Sequence, residues 1–222
     1  MPALRERILE QEMLDTVGDE EAAFNLNDIA RINRLTGARG ELLRQLKSRF
    51  NANDSFHFLD VGAASGDLAR AVQNTFPRAK IYCLDLQYRN LAHAPNYKVQ
   101  ADAFLLPFSS NAIEVVHCSL FLHHFSIEQT QALVLEMWRV SSNLVLIQDL
   151  HRHWLAYYFL PATKLLLNWG SITVEDGMKS VAAGWRREEL QELLDRIELG
   201  KYSTISWHFP SFRYFIAISD TA

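Results

Sequence analysis

Apolar residues in the first fifty positions return every three or four places, at Leu26, Ile29, Ile32 and Leu35 and again at Leu42, Leu43 and Leu46. That period predicts helices over residues 5–50, with Gly37 and Gly40 marking the break between segments. Near residue 56 the pattern changes to short apolar runs separated by helical stretches. The runs are HFLDV at 57–61, KIYCLD at 80–85, KVQA at 98–101, IEVVHCS at 113–119 and NLVLIQDL at 143–150. Strands of this kind belong to a mostly parallel sheet covered on both faces. Between them, 67–76 reads as a helix stopped by Pro77, and 88–93 as a short one. A further helix is capped by Ser126, with Gln129 three residues on and Leu133, Met137 and Val140 along one face. Residues 185–197 form an amphipathic helix on Leu190, Leu193, Leu194 and Ile197. STISWHF at 203–209 and FRYFIAIS at 212–219 are joined across Pro210 and Ser211, a link that suits a hairpin and is too short for a parallel crossover. The expected fold class is therefore α/β: a seven-stranded, mostly parallel sheet with an antiparallel last strand, plus an N-terminal helical cap.

The helices before the first strand cannot be crossovers in the sheet. Residues 1–50 are thus expected to be a cap or oligomer surface on the domain formed by residues 51–222. About 35 residues separate the fifth strand from the helix at 185, more than a loop requires. This insertion, at about 154–184, carries Trp154, Tyr157, Tyr158, Phe159 and Trp169 together with Thr173, Glu175, Asp176 and Lys179. It reads either as a pocket wall at the carboxyl edge of the sheet, where such sheets bind ligands, or as a peripheral helical insertion.

Composition narrows the partners. A length of 222 residues suits one domain with a sizeable core. A net charge of -4 and a pI near 6.1 give no electrostatic case for a nucleic-acid or anionic-membrane partner, and leave a small-molecule substrate as the expectation. The start of the chain lacks the apolar stretch of a secretion signal. The densest apolar segment, Leu155 to Leu167, is broken by Pro161 and Lys164 and is too short to span a bilayer. Cys83 and Cys118 stand apart in strand-like runs, which points to packing in a reducing, cytoplasmic compartment. A monomer and a homodimer are both compatible with the sequence.

The run LDVGAASGDLA, Leu59 to Ala69, has the order strand, small-residue turn, helix. Gly62 permits a tight turn, Ala63, Ala64 and Ser65 are small, and Gly66 lets a ligand approach the helix start. Gly62 and Gly66 are four apart with Ala64 between them, which fails the dinucleotide spacing, and the lysine of a phosphate-binding loop is absent. Asp60 would repel a pyrophosphate and attract a cationic amino-acid ligand. Asp85 ends the second strand, the usual place for an acceptor of paired ribose hydroxyls. Asp102, flanked by Ala101, Ala103 and Phe104, suits an adenine amino group with apolar cover for the ring.

Together these residues resemble the first motifs of the class I S-adenosylmethionine-dependent methyltransferases. The resemblance covers roughly residues 56–219 and extends through QADAFLLPFSSNAIEVVHCSLFLHHF at 100–125 to the closing hairpin. It implies a Rossmann-like sheet with S-adenosylmethionine as cofactor. Asp60, Gly62, Ala63, Ala64 and Gly66 would lie near its methionine part, Asp85 with Leu86 at the ribose, Asp102 with Ala103 at the adenine, and Ser119 at the end of the fourth strand. The departure is Ala64, where family members often carry glycine; a methyl group is tolerated there on ordinary dihedrals.

The fourth strand runs into SLFLHHF, which sets His123 and His124 at the rim toward which the reactive methyl would point. Histidine titrates near neutral pH. A phenol is about 3.5 units less acidic, a gap of roughly 5 kcal/mol, so a basic histidine must act as transfer proceeds or have a polarising neighbour. This segment is similar to that of quinone-precursor and polyketide O-methyltransferases, in which His124 matches the recurrent histidine. DLHRHWLAYY and DGMKSVAAGWRREEL extend the likeness to the ubiquinone-biosynthesis type. Asp149 can orient a histidine or line the pocket. Arg34 and Arg152 are candidate contacts for an acidic acceptor or simply solvated. His151 and His153 have no structural-zinc spacing, and no metal is expected. The expectation is methyl transfer to a small organic acceptor, an aromatic or polyketide hydroxyl foremost. Methylation of protein or RNA, and a non-catalytic cofactor-binding protein, are the alternatives.

Overall fold

The computed structural model describes residues 4–10, 18–95 and 97–220. In chain order the main elements are α1 (Asp19–Leu35), α2 (Ala38–Lys47), β1 (His57–Val61), α3 (Asp67–Thr75), β2 (Lys80–Asp85), β3 (Tyr97–Gln100), β4 (Ile113–Ser119), α4 (Ile127–Val140) and β5 (Ser141–Leu150). They continue with α5 (Trp154–Leu167), α6 (Ser171–Ala183), α7 (Arg187–Arg196), β6 (Ser203–His208) and β7 (Arg213–Ile218).

The strands form one sheet of order β3-β2-β1-β4-β5-β7-β6, and β7 alone runs antiparallel to its neighbours. The chain builds outward from β1 through β2 to β3, returns to lay β4 on the other side of β1, and then builds outward again. That reversal opens a crevice at the carboxyl ends of β1 and β4, the place where such sheets take ligands. Two cores cover the faces. Leu42, Leu46, Leu68, Val72 and Phe76 pack on Phe58, Ile81, Val115 and Leu144 on one side. On the other, Leu133, Met137, Val140, Leu190 and Leu193 pack on Leu59, Val116, Val145 and Ile147. The capping box at α4 is formed as the sequence signals, with Gln129 N donating to Ser126 Oγ at 3.2 Å and Ser126 N donating to Gln129 Oε1 at 3.0 Å.

The N-terminal helices differ from the pattern-based expectation in three ways. Residues 7–10 carry no helix, the expected stretch at 11–17 lies outside the described residues, and Gly40 sits inside α2, with Gly37 alone making the break at φ 79°. More consequential is the face that α1 presents. Leu26, Ile29 and Ile32 are only half-buried and Leu35 is 57% exposed, whereas Asn25, Asp28, Asn33 and Thr36 are buried. The cause is what lies beneath. Asp28 Oδ2 accepts from Gly170 N and from Thr173 Oγ1, both at 2.9 Å, and Asn33 bridges to α3 and β7. A helix over the polar starts of α6, α3 and β7 must turn its hydrogen-bonding side inward, so apolar period misreads its buried stripe.

The stretch at 154–184 becomes the helix pair α5 and α6, with Trp169 buried and its Nε1 donating to Thr163 Oγ1 at 2.9 Å. Trp185 and Arg186 precede α7 instead of opening it. Among the described residues no helix is long and apolar enough to cross a membrane.

Candidate functional site

β1 delivers its chain into a turn with three left-handed residues, Gly62 at φ 67°, Ala64 at φ 46° and Gly66 at φ 68°. A Cβ on Gly62 would stand 2.5 Å from the Phe121 ring, so glycine is required both by conformation and by that contact. A Cβ on Gly66 would stand 2.7 Å from Pro95 and 2.9 Å from the Ala94 backbone. Chain packing is thus sufficient reason for that glycine, in place of the expected room for a ligand. Ala64 does not have the ordinary dihedrals that would make its methyl harmless; it holds a strained conformation that glycine would adopt freely. What keeps it there is visible: Ala64 N donates to Asp85 Oδ2 at 3.2 Å.

Asp85 is the hub of the turn. Its Oδ1 accepts from Gln87 N at 2.9 Å and from Asn90 Nδ2 at 3.1 Å, which fixes the carboxylate at the end of β2. Asp102 lies one strand further out, exposed, with Phe104 N donating to its Oδ1 at 2.9 Å. Ala103 behind it is buried, while Leu86 at 65% and Leu105 at 77% are exposed beside the two acids. Exposed apolar side chains flanking carboxylates at neighbouring strand ends fit a nucleoside, whose ring needs cover and whose hydroxyl and amino groups need acceptors. S-Adenosylmethionine therefore fits the residues present. Asp60 departs from its expected orientation toward a cationic ligand, because its Oδ1 accepts from His117 Nδ1 at 2.7 Å and both residues are buried.

The rim after β4 has its own anchor. Leu120 takes a left-handed φ of 53°, and the short 3₁₀ turn Leu122–His124 follows. His123 Nδ1 donates to Asp149 Oδ1 at 2.6 Å and His123 N donates to Asp149 Oδ2 at 3.1 Å. Leu150 N also donates to Asp149 Oδ1, at 2.7 Å. Burial alone would raise the Asp149 carboxyl, but the His123 charge and hydrogen bond, helped by the Leu150 amide and by His124, hold it below the usual carboxylate value. His124 packs against the His123 ring, with centroids 4.3 Å apart and the planes tilted by 33°, and is exposed. Phe121, Phe125 and Phe104 form an edge-to-face series at 5.0 and 5.5 Å, linking the histidine rim to the Asp102 segment. Arg7 closes the opposite side. Its guanidinium lies 3.6 Å over the Trp185 ring and donates to the carbonyls of Ala183, Phe125 and His123.

The basic candidates read from sequence are placed elsewhere. Arg34 is exposed near the end of α1. Arg152 is buried and committed, donating to Gly184 O at 2.7 Å and to Glu189 Oε1 at 2.5 Å. Trp154, with His151, His153 and Arg186, lines an open groove of about 630 Å³, while Tyr158 faces solvent. His151 is driven down to about 4, first by burial and then by the charges of His153, Arg152 and Arg186. Cys83 and Cys118 are free and buried.

Two buried residues at this edge escaped sequence reasoning: His117, and Arg213 at the start of β7. Arg213 Nη2 donates to Asn33 Oδ1 at 2.8 Å, and Asn33 Nδ2 donates to Asp67 Oδ2 at 3.1 Å. Burial pushes the Arg213 guanidinium down to about 10, against the pull of Asp149 and Asp67. The signal was present, because each is a basic residue inside an otherwise apolar strand run.

Residues 59–143 match the model of a family described as the methyltransferase domain. No curated protein sequence matches the chain. Among solved structures, the plantazolicin methyltransferase BpumL in complex with S-adenosylhomocysteine is 14% identical, covers 93% of this chain and 92% of its own, and gives a TM-score of 0.67. The magnesium protoporphyrin IX methyltransferase of Synechocystis PCC 6803 with bound S-adenosylhomocysteine is 12% identical, with 86% and 84% covered and a TM-score of 0.58. A protein of Nostoc punctiforme PCC 73102, provisionally described as an O-methyltransferase, is 15% identical with a TM-score of 0.62; 84% of this chain is covered, which spans only 56% of the Nostoc protein.

Proposed function

We propose that the chain is a class I S-adenosylmethionine-dependent methyltransferase that methylates a small organic acceptor in the cytoplasm, an aromatic or polyketide hydroxyl foremost. The observation that carries this reading is the rim after β4. There an exposed His124 packs against His123, which is buried and paired with Asp149, beside Phe121 and Phe125. A hydroxyl must lose its proton as it is methylated, and His124 is the accessible base at this rim. His123 and Asp149 are positioning residues: buried, they hold the turn on which His124 stands. The phenylalanines offer an apolar surface that excludes water from the reacting oxygen. The bound cofactor supplies an activated methyl group and its own leaving group, so the protein contributes alignment and a proton acceptor. Plantazolicin and magnesium protoporphyrin IX, named for two structural neighbours, support an acceptor smaller than a folded macromolecule.

The test is methyl transfer by the pure protein from methyl-labelled cofactor to fractions of a cell extract. Label in the small-molecule fraction, lost with His124→Ala, supports the proposal. Label confined to protein or RNA would overturn it.

A further inference from the structure

Helix α5 has two faces that the rest of the fold treats differently. On one, Leu160 is buried so near Gly177 of α6 that a Cβ there would stand 2.3 Å from its Cδ1. On the same side Thr163 Oγ1 accepts from Trp169 Nε1 at 2.9 Å, and Lys164 Nζ donates to Ser171 Oγ at 3.0 Å. These contacts seat α5 on α6. On the other face Trp154, Leu155, Tyr158 and Ala162 are exposed, with Leu165 at 96% and Leu166 at 83%. At about 100° per residue, these six fall within an arc of roughly 120° that runs the length of the helix. No charge interrupts it, because Lys164 is the single charged residue of α5 and is turned to Ser171.

The stripe presents roughly 650 Å² of apolar side chain, above the largest patch of a typical monomer at about 300–600 Å². Set against a second such stripe, it supplies most of the area, about 800 Å², that each partner gives to a standard interface. The spacing of the residues names the arrangement. When two copies of α5 meet antiparallel about a two-fold axis level with residue 160, positions equally far on either side of 160 face each other. Trp154 then meets the partner's Leu166, Leu155 meets the partner's Leu165, and Tyr158 meets the partner's Ala162. Near the axis the bulky ring stands against the smallest side chain, and all six residues find an apolar neighbour. A two-fold contact requires one patch to complement itself, and this one does so with no charge brought against its like. A lipid surface is the poorer fit. The protein carries a net charge of -4, and the polar side of α5 holds one lysine, whereas interfacial helices keep a polar face rich in Lys and Arg.

We propose that α5 is the contact surface for a second copy of this chain, the two helices packing antiparallel through Trp154, Leu155, Tyr158, Ala162, Leu165 and Leu166. The assembly stands apart from the reaction assigned to the chain and is tested without it. Trp154 also lines the open groove shared by His151, His153 and Arg186, so dimerisation sets the partner's Leu166 at the edge of that groove.

Sedimentation velocity of the full chain, from about 1 to 100 µM, reads the assembly state of wild type, Leu165→Glu and the double variant Leu155→Lys with Leu165→Glu. Both positions are exposed in the single chain, so the variants keep the far-UV circular dichroism of wild type. Wild type is expected to be a dimer. Leu165→Glu buries an unpaired carboxylate twice per dimer and weakens association about a hundredfold or more. The double variant brings opposite charges together at both copies of the 155–165 contact and recovers at least tenfold of that loss. A monomeric wild type across the range overturns the proposal, as does a dimer that Leu165→Glu leaves intact. Loss of the dimer in Leu165→Glu with no recovery in the double variant overturns the antiparallel pairing. Co-sedimentation with phosphatidylcholine vesicles is measured alongside; a monomeric wild type that binds them and loses binding with Leu165→Glu assigns the stripe to a lipid surface instead.

Discussion

Replacing Asp149 by Asn should loosen the rim without altering its shape. The carboxylate is 1% exposed and takes three donors: the His123 ring, the His123 amide and the Leu150 amide. An amide of the same size has one oxygen. Placed at Oδ1 it keeps the ring and the Leu150 amide but turns its own N–H groups on the His123 amide; flipped, it opposes the other two. At least one charge-assisted bond is lost, about 1.5–3 kcal/mol, and one buried donor is left unsatisfied, so a loss of roughly 2–4 kcal/mol is expected. For a chain of this length each kcal/mol lowers Tm by about 2–4 °C. The pH dependence carries a second signature. Because the folded Asp149 carboxyl lies below its unfolded value, its contribution is complete above the unfolded value near 3.9 and disappears as pH falls through the folded one. Urea denaturation of wild type and Asp149→Asn should therefore differ most at neutral pH and converge in acid. Equal stabilities at pH 7, within about 0.5 kcal/mol, would refute the assignment of Asp149 as the anchor of the rim.

Three further outcomes are expected. His124→Ala should leave Tm within about 2 °C, because the residue is exposed, yet lower the methyl-transfer rate by roughly 10²–10⁴; a near-wild-type rate across pH would rule His124 out as the base. Ala64→Gly should stabilise the protein by up to about 1 kcal/mol, since relief of the φ 46° strain exceeds the added freedom of glycine in the unfolded chain, and a lower Tm would count against the strain argument. His151, with a folded value of about 4, costs stability as pH falls from its unfolded value toward 4. Discounted for its partial exposure, the effect is about 1–2 kcal/mol. His151→Phe should flatten the stability profile across that window, and an unchanged profile would contradict the assignment.

Much of this architecture is written in short-range pattern. The strand runs, the Ser126 capping box and the hairpin across Pro210 are local, and each appears within a residue or two of its expected place. The acids at the ends of β1, β2 and β3 are also legible, because strand ends are set by the same runs. What local pattern cannot carry is which partner a polar group finds across the fold. Asn33 meets Arg213 from 180 positions away, and Asp60 meets His117 from 57. Such pairs reverse the apparent inner face of α1, where apolar spacing marks Leu35 as core and the structure buries Asn33. Ala64 was legible as a departure from glycine, but its left-handed conformation depends on the bond from its amide to Asp85.

The central claim is that carboxylates at neighbouring strand ends hold the nucleoside of the cofactor. Calorimetric titration of the folded wild type and Asp85→Asn with S-adenosylhomocysteine tests it most directly. One molecule should bind per chain, and the variant should bind roughly 30-fold more weakly, the effect of about 2 kcal/mol for exchanging a charged acceptor for a neutral one. No binding to wild type, or equal affinity for the two proteins, would contradict the claim.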